Sequence, residues 1–482
     1  MTRQINRVTL VLIFLMLALI ANLSYIQFFN SNSLRNKPGN QRVLLAEYSK
    51  QRGPILINSV PIVQSVATND SLKYLRKYQS GSIFASVTGF YSLIYGSSGI
   101  EAAANDVLSG NDDRFFVDRL QQLLANRQPQ GGAVELTINP KAQQIAMAAL
   151  AGRTGAVVAI NPSTGEILAL ASSPSFNPNR LSSHDTAKIQ TYYNYLNSNP
   201  KEPLLNRPLA MTLPPGSTFK LVTAAAALES GKYSAQSQLP GPATIALPNS
   251  THRLGNWNRS ACSGSGQTSL DNALAISCNT AFAWLGMQLG QEALQEQARK
   301  FGFGTSFEVP MTAAASKFPN GLDQAQTAMS AIGQFDVQAT ALQMALVGAG
   351  IGNDGVVMRP YLIKQVLGPN LKVLDKASPQ QFSRAMSVSN ARSLGTMMSH
   401  VVDRGTGSNA RIYGVAVGGK TGTAETSPGS PAHAWFVGIA PAVQAKVAVA
   451  VVLQNGGGAT EISGNGLSAP IARAIMQAII SK

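Results

Sequence analysis

Residues 213–220 read LPPGSTFK. The Pro-Pro-Gly run ends any element that precedes it, and the Ala-rich sequence from Phe219 to Ser230 predicts a helix that begins at once. Ser217 and Lys220 are three residues apart, so at the start of that helix they share one face. A lysine can take the proton of a serine hydroxyl when burial or nearby positive charge lowers its pKa. The stretch therefore presents a candidate nucleophile together with its base.

Two more motifs lie further along the chain, and they make the first one specific. Ser277-Cys278-Asn279 gives S-x-N, in a region that reads as helical from Ser269 to Leu289. Lys420-Thr421-Gly422-Thr423 follows much later, on a predicted strand. S-x-x-K alone occurs by chance in almost any chain. The ordered set supplies a nucleophile, a proton shuttle and a cation that can capture a carboxylate.

The order S-x-x-K, S-x-N, K-T-G is the signature of penicillin-binding proteins and serine β-lactamases. The chain resembles class B penicillin-binding proteins over nearly its whole length, most closely the short actinobacterial type. Further blocks carry this resemblance: GAVVAINPSTGEILALASSPSFNPN at 155–179, IGQFDVQATALQMA at 332–345, AWFVGIAP at 434–441 and, in the front half, NQRVLLAEYSKQRGPIL at 40–56. The resemblance implies a membrane-anchored D,D-transpeptidase that cross-links peptidoglycan stem peptides and that β-lactams inhibit covalently.

The resemblance also implies a role for each motif residue. Ser217 attacks the carbonyl between the two terminal D-alanines of a stem peptide, with Lys220 as general base. Ser277 relays a proton to the leaving D-alanine, and Asn279 holds Lys220 and the substrate amide. The oxyanion lies between the backbone N–H groups of Ser217 and Thr423. The donor carboxylate and its extended peptide bind along the K-T-G strand, at Lys420, Thr421, Gly422 and Thr423. An amine of a neighbouring stem peptide then resolves the acyl-enzyme.

Runs of strand-forming residues occur at both ends of the C-terminal half. Gly155–Ile160 and Ile167–Ala171 flank a turn sequence, which predicts a hairpin, and three more strand runs lie between Gly414 and Gln454. The sequence between these two groups is mostly helical. We expect an α+β fold in which one antiparallel sheet takes strands from both ends. The resemblance adds helices on both faces of the sheet, an all-helical part, and a smaller mixed, non-catalytic domain in front.

The composition excludes some classes of protein and leaves others open. The chain has 482 residues and a formal net charge of +15, while charged residues make up 13% and hydrophobic residues 45%. Such a chain buries one or more sizeable cores and is long enough for two or three domains. Its two cysteines exclude a disulfide-stapled scaffold and a multi-cysteine metal cluster. The positive charge suits nucleic acid, an anionic membrane or a cell-wall polymer.

The N-terminus decides between those partners. Val8–Ile26 is almost entirely apolar, follows Arg3 and Arg7, and is just long enough to cross a bilayer. No clear small-x-small cleavage site follows, so an uncleaved single-pass anchor is favoured over a secretory signal. Both interpretations place most of the chain outside the cytoplasm, which argues against nucleic acid. We expect a cytoplasmic tail at 1–7, an anchor at 8–29, a pedestal or dimerisation-type domain at 30–150 and the transpeptidase domain at 151–482.

The two cysteines have a further interpretation. Cys262 and Cys278 are close together in the sequence, and an oxidising compartment allows them to pair. Closing such a short loop would contribute about 3 kcal/mol to stability. We expect a disulfide that braces the loop beside Asn279, with two buried thiols as the alternative.

Other motif matches carry little weight. Residues 414–421 read GVAVGGKT and match the P-loop pattern, but their first half is strand-like and no helix start follows Lys420. The histidines have no metal-ligand spacing: they are His184, His252, His400 and His433. No metal or organic cofactor is implied.

Two rival functions stay open at this point. A D,D-carboxypeptidase or a β-lactamase shares the acylation half of the reaction but uses water as the acceptor. A β-lactam sensor or a non-catalytic divisome scaffold would retain the fold alone. The front domain and the anchor favour the transpeptidase, and the complete motif set argues against a degenerate scaffold. Candidate partners are the lipid bilayer, a glycosyltransferase and divisome or elongasome proteins.

Overall fold

The structure is a computed structural model that describes residues 2–28, 48–116, 124, 130–251, 253–426, 429–459 and 462–481. Its α-helices are α1 Thr2–Phe28, α2 Gly81–Thr88, α3 Gly99–Ala103, α4 Asn105–Ser109, α5 Pro140–Ala149, α6 Pro178–Leu181, α7 Thr186–Asn197, α8 Arg207–Ala210, α9 Lys220–Glu229, α10 Leu270–Ala275, α11 Asn279–Lys300, α12 Gln324–Ser330, α13 Ala341–Gly352, α14 Val388–Asp403 and α15 Ala469–Ile480.

The strands are β1 Ile55–Ile57, β2 Val60–Ala67, β3 Tyr74–Tyr78, β4 Tyr91–Ser92, β5 Gly96–Ser97, β6 Ala133–Leu136, β7 Gly155–Ile160, β8 Ile167–Ser173, β9 Gln238–Pro240, β10 Thr244–Ala246, β11 Arg253–Gly255, β12 Gln267–Ser269, β13 Val356–Met358, β14 Ile363–Leu367, β15 Val373–Lys376, β16 Gln381–Arg384, β17 Gly418–Ala424, β18 His433–Ala440 and β19 Val447–Leu453.

Helix α1 is long and apolar enough to cross a membrane. Its stretch Gln4–Gln27 has 24 residues, which at 1.5 Å per residue extend about 36 Å, against a hydrocarbon core of about 30 Å. Large apolar side chains such as Leu10 and Phe14 are exposed along it instead of packing against the rest of the protein. The predicted anchor at 8–29 falls on this helix, except that residue 29 lies outside the described residues.

The C-terminal half is built on a five-stranded antiparallel sheet in the order β17-β18-β19-β7-β8. Strand β19 pairs with β7, with Val449 opposite Ala159, so strands from the two ends of the domain meet inside the sheet. Every residue of β7, β18 and β19 is buried, because both faces of the sheet are covered. The prediction of one antiparallel sheet with strands from both ends is confirmed.

Helices cover both faces of this sheet. Successive strand residues point to opposite faces, so Val158 and Ala450 belong to the core on the α13 side, while Val157 and Val451 belong to the core on the α15 side. Helix α13 is entirely buried, and α5 packs beside α15 against β8. Helices α9 to α12 form the mainly helical part between the two strand groups. The predicted α+β fold with helices on both faces is confirmed.

A second sheet has six strands in the order β15-β14-β6-β1-β2-β3. Strands β1 and β6 are parallel, and the other neighbours are antiparallel. Ile55, Val63 and Val134 are fully buried in it. Strands β14 and β15 come from residues 363–376, so the domain expected at 30–150 shares its sheet with the one expected at 151–482. Residues 30–47 of the former lie outside the described part of the chain.

Candidate active site

Ser217 lies in a 3-10 turn, Gly216–Phe219, that leads directly into α9. Gly216 has a φ of 51° and donates its N–H to the carbonyl of Gly333 at 2.9 Å. A Cβ on Gly216 would come within 2.8 Å of the carbonyl oxygen of Thr423, so glycine is required where the turn approaches β17. The turn thus places the half-buried Ser217 beside the K-T-G strand.

The S-x-N motif lies in a break between two helices. Helix α10 ends before Ser277 and α11 begins at Asn279, so the continuous helix predicted across Ser269–Leu289 is interrupted here. Ser277 has a φ of 61°, a left-handed conformation that costs a non-glycine residue about 1–2 kcal/mol. It is only 8% exposed, and the side chain of Cys278 caps the first turn of α11. Packing around the break therefore holds Ser277 in a strained conformation.

Lys220 is fully buried and bonded to the S-x-N motif. Its Nζ lies 2.9 Å from the carbonyl oxygen of Ser277, 3.3 Å from Ser277 Oγ and 2.7 Å from Asn279 Oδ1. In the part of the chain that the structure describes, no hydrogen bond joins Lys220 to Ser217. Proton transfer between these two residues therefore requires Nζ to give up one of its three partners.

Lys420 reaches the same serine hydroxyl from β17. Its Nζ lies 2.9 Å from Ser277 Oγ and 3.1 Å from the carbonyl oxygen of Thr421. Ser277 Oγ is therefore within hydrogen-bonding distance of the Nζ atoms of both Lys220 and Lys420. A hydroxyl can accept from a charged lysine while it donates to a neutral one. This arrangement allows Ser277 to move a proton.

Burial sets the charge of both lysines. It lowers the pKa of Lys420 to about 7. Burial, together with the positive charge of Lys420, holds the pKa of Lys220 well below its usual value. Among the described residues neither ammonium forms a salt bridge with a carboxylate. Lys220 can therefore be neutral near pH 7, and a neutral lysine can act as a general base.

Strand β17 carries the predicted substrate-binding residues. Thr421 is buried, and its Oγ1 lies 2.8 Å from Thr406 Oγ1, whereas Thr423 is exposed. A Cβ on Gly422 would meet the carbonyl oxygen of Pro215 at 2.9 Å, so glycine lets the strand pass close to the turn that holds Ser217. A strand in this position can pair with an extended peptide.

The loop that precedes the S-x-N motif is held in place by a disulfide, which was expected, and by Asn256, which was not. A disulfide joins Cys262 to Cys278. Asn256, which no motif predicts, accepts the backbone N–H groups of Asn279 at 2.9 Å and Thr280 at 3.1 Å through its Oδ1. It is a single polar residue in a polar loop, so its type and position give no signal of this role.

Gly333 and Thr406 also support the site without having been predicted. Gly333 accepts the N–H of Gly216, and a Cβ on it would come within 2.1 Å of the Gly216 carbonyl oxygen. Thr406 contacts Thr421 as described above. Gly333 lies in the 332–345 block, where the resemblance indicates importance but residue type alone does not indicate a contact with the turn that holds Ser217.

The structure thus brings the three motifs together. Lys220, Ser277, Asn279 and Lys420 form one hydrogen-bonded cluster, and the turn that holds Ser217 contacts β17. The described residues contain no group of three or more His, Cys, Asp or Glu side chains placed to hold a metal ion. Together with Ser217 as a candidate nucleophile, the cluster can supply a lysine base, a proton shuttle and a buried cation.

Two protein families match this chain. The penicillin-binding protein transpeptidase domain matches residues 155–477. The penicillin-binding protein A dimerisation domain matches residues 52–134. Together the two matches include all three motifs and, except for the last two residues of β6, every strand of both sheets.

Full-length relatives agree with these matches. The chain is 42% identical to peptidoglycan D,D-transpeptidase PbpA of Mycolicibacterium smegmatis, over 100% of this chain and 99% of that protein. It resembles the ceftriaxone acyl-enzyme complex of penicillin-binding protein A from M. tuberculosis with a TM-score of 0.88 and 41% identity, over 91% of this chain and 100% of that one. For the penicillin G acyl-enzyme complex the TM-score is 0.85 at 41% identity, over 89% and 99%. The resemblance noted in the sequence is confirmed, and the chain belongs to the penicillin-binding protein transpeptidase family.

Proposed function

We propose that this chain cross-links peptidoglycan stem peptides as a D,D-transpeptidase through an acyl-Ser217 intermediate, and that β-lactams acylate the same serine. The observation that carries the proposal is the position of Ser277 Oγ within hydrogen-bonding distance of both Lys220 and Lys420, while the turn that holds Ser217 contacts the strand of Lys420. The names of the relatives support the substrate, since they are peptidoglycan D,D-transpeptidases whose solved structures include β-lactam acyl-enzymes.

The acylation half uses the S-x-x-K and S-x-N motifs. Neutral Lys220 takes the proton of Ser217 Oγ as this oxygen bonds to the donor carbonyl carbon. The backbone N–H groups of Ser217 and Thr423 donate to the oxyanion. The proton then passes through Ser277 to the leaving nitrogen, the C–N bond breaks and D-alanine departs. Asn279 keeps one amide N–H for the substrate, because the other donates to the carbonyl of Gly255 at 3.2 Å.

The donor's terminal carboxylate binds at Lys420. An anion beside an amine raises the pKa of the amine, so a lysine with a pKa of about 7 becomes fully protonated when the donor arrives. That charge in turn favours the neutral form of Lys220. Donor binding therefore protonates Lys420 and helps to keep Lys220 neutral. Thr421, Gly422 and Thr423 hold the extended peptide.

The second half-reaction decides between the rival functions. An amine of a second stem peptide attacks the ester carbonyl, the bond to Ser217 Oγ breaks, and the cross-link forms as the serine regains its proton. A D,D-carboxypeptidase or β-lactamase would use water instead. A non-catalytic sensor or scaffold would not need the connected cluster of Lys220, Ser277 and Lys420. Full-length identity to proteins named transpeptidases supports the amine acceptor.

The same proposal covers placement in the cell. Residues 8–29 form the anchor, 1–7 lie in the cytoplasm, and the domains at 30–150 and 151–482 lie outside it. The family matches at 52–134 and 155–477 fall within these two domains and support them. A glycosyltransferase and divisome or elongasome proteins are candidate partners at that membrane.

Product analysis tests the proposal. The full chain in neutral detergent is incubated with a donor peptide ending in D-Ala-D-Ala and with an amine acceptor, and the products are weighed by mass spectrometry. We expect a cross-linked product lacking one D-alanine, which Ser217→Ala abolishes. Ser230→Ala is the matched control, because Ser230 is exposed just beyond the far end of the same helix. A shortened donor without any cross-link would identify water as the acceptor and favour the carboxypeptidase.

A further inference from the structure

The N-terminal domain contains a buried cluster of charged side chains outside the active site. Arg52, Arg76 and Glu101 are 6%, 3% and 0% exposed. Glu101 Oε2 accepts from Arg52 Nε at 2.7 Å, and Oε1 accepts from Arg76 Nε at 2.6 Å and from Tyr78 OH at 3.0 Å. One carboxylate thus forms salt bridges with two guanidinium groups. The cluster carries one uncompensated positive charge in the interior.

Glu101 and Arg52 are ionised. Burial alone would raise the pKa of Glu101, but the charges of Arg76 and Arg52 hold it below its usual value. Burial alone would lower the pKa of Arg52, but Glu101 raises it above its usual value. A net charge in the interior is costly unless a counter-ion compensates it. The cluster therefore favours an anion.

Within the described part of the chain, two buried polar atoms at the cluster have no hydrogen-bond partner: Arg76 Nη2 and Tyr48 OH. Tyr48 is 3% exposed, and its ring stacks on Tyr91 at 4.8 Å, with the Arg52 guanidinium 4.3 Å from the centre of the Tyr91 ring. Burial raises the pKa of Tyr48 well above its usual value, so its hydroxyl keeps its proton and can donate. Buried donors are nearly always satisfied, so these two indicate a missing acceptor.

Both residues line one small cavity together with Lys50 and Arg52. The cavity has a volume of about 10 Å³, room for one water-sized group. Lys50 is half-buried, so its ammonium can lie at the mouth of the cavity. A neutral water molecule in this cavity could not compensate the positive charge that Arg52, Arg76 and Lys50 carry in excess of Glu101.

We propose that this cavity, lined by Tyr48, Lys50, Arg52 and Arg76, binds one anionic oxygen of a carboxylate or phosphate group presented at the surface. The oxygen accepts from Arg76 Nη2 and Tyr48 OH, and the ammonium of Lys50 contacts the rest of the group. Charge-assisted hydrogen bonds of this kind are stronger than neutral ones. The group can belong to a free anion or to a lipid headgroup phosphate. The lipid is a candidate because only residues 29–47 separate α1 from Tyr48 in the sequence.

Thermal unfolding of the full chain in neutral detergent tests the site. Inorganic phosphate or acetate is titrated at constant ionic strength, with chloride as the balancing anion. We expect a saturable rise of Tm in the wild type, and an apparent affinity weaker by about tenfold or more in Tyr48→Phe and Lys50→Ala. Without added anion, Tyr48→Phe should unfold at the wild-type Tm or above it, because the variant lacks the unsatisfied hydroxyl.

Lys232→Ala is the matched control, because Lys232 is an exposed lysine of the transpeptidase domain and should leave the titration unchanged. Labelling of each variant by a fluorescent penicillin shows that the variant is folded. A rise of Tm that does not saturate, or the same titration in the wild type and in both cavity variants, would overturn the proposal.

Lipid vesicles distinguish the two sources of the anion. Phosphatidylglycerol vesicles that suppress the phosphate-induced rise of Tm, where phosphatidylcholine vesicles do not, assign the site to a headgroup phosphate. Equal behaviour of the two kinds of vesicle assigns it to a free anion. The vesicle experiment is carried out only after the saturable rise of Tm has been observed, so its two outcomes identify the ligand of the site.

Discussion

Lys420 shows how far the chemistry depends on residues that are distant in sequence. Its Nζ lies 2.9 Å from the hydroxyl of Ser277, which precedes it by 143 residues. The motif pattern predicts which residue types act, and the spacing of Ser217 and Lys220 predicts that they share a helix start. The contact between Lys420 and Ser277 depends on where β17 passes the break between α10 and α11. No local pattern encodes that path, nor the role of Asn256.

The charge of Lys420 gives a prediction about pH. Because burial lowers its pKa to about 7, the amine loses its charge as the pH rises through that value. We expect the second-order rate of acylation by penicillin G, which carries a carboxylate, to fall above about pH 7. A guanidinium keeps its charge, so Lys420→Arg should lack this alkaline decline, whatever its rate at neutral pH. Both proteins should lose activity in acid as Lys220 becomes protonated.

The measurement is the rate of labelling by penicillin G across neutral and alkaline pH, read from quenched samples. Tm is recorded at each pH to show that both proteins stay folded. An alkaline decline with the same midpoint in the wild type and in Lys420→Arg would contradict the assignment of Lys420 as the carboxylate-binding cation.

The elements that carry the site were predictable where a short-range pattern exists. The hairpin expected from 155 to 171 is β7 and β8, and the helix expected after Phe219 is α9. The interruption at Ser277 was not predictable, because the residues on both sides favour a helix and long-range contacts hold the break open. The position of β14 was not predictable either, because its antiparallel pairing with β6 is a long-range contact. Gln365 lies opposite Glu135, which is 230 residues away in the sequence.

The brace beside the S-x-N motif gives a prediction at the scale of an element. The disulfide between Cys262 and Cys278 closes a loop of 16 residues, which contributes about 3 kcal/mol. We expect the double variant Cys262→Ala/Cys278→Ala to have a lower Tm and slower acylation by penicillin G, because Asn279 directly follows Cys278. Gln267→Ala, in the same loop but outside the bond, should leave both quantities unchanged, because the Gln267 side chain is exposed.

Thiol titration of the unreduced, denatured protein checks the bond itself. We expect no reactive thiol before reduction and two after it. Two reactive thiols before reduction would show that the cysteines are unpaired, and the slower acylation of the double variant would then need another cause.

At the scale of the whole molecule, an apolar helix precedes two sheets, and the six-stranded sheet takes strands from both the front domain and the C-terminal half. The composition and the apolar run predict an envelope protein with a net charge of +15, and the motif order predicts the catalytic domain. The shared six-stranded sheet could not be predicted, because strands β14 and β15 follow Ser217 in sequence but join a sheet of the front domain. This sheet couples the two domains directly.

Removing residues 1–28 tests the anchor. The apolar window of α1 is not buried against the rest of the protein, so the shortened chain should keep its fold and its labelling by fluorescent penicillin. We expect it to move from the membrane fraction to the soluble fraction. N-terminal sequencing of the full chain from membranes distinguishes an anchor from a signal: a retained N-terminus supports the anchor, and its loss supports cleavage.

Mass spectrometry after reaction with penicillin G shows directly whether Ser217 forms the acyl-enzyme. We predict a single covalent adduct on the intact chain, located on the proteolytic peptide that contains Ser217, and no adduct on Ser217→Ala. A wild-type chain that stays unmodified, or an adduct on another residue, would show that penicillin G does not acylate Ser217.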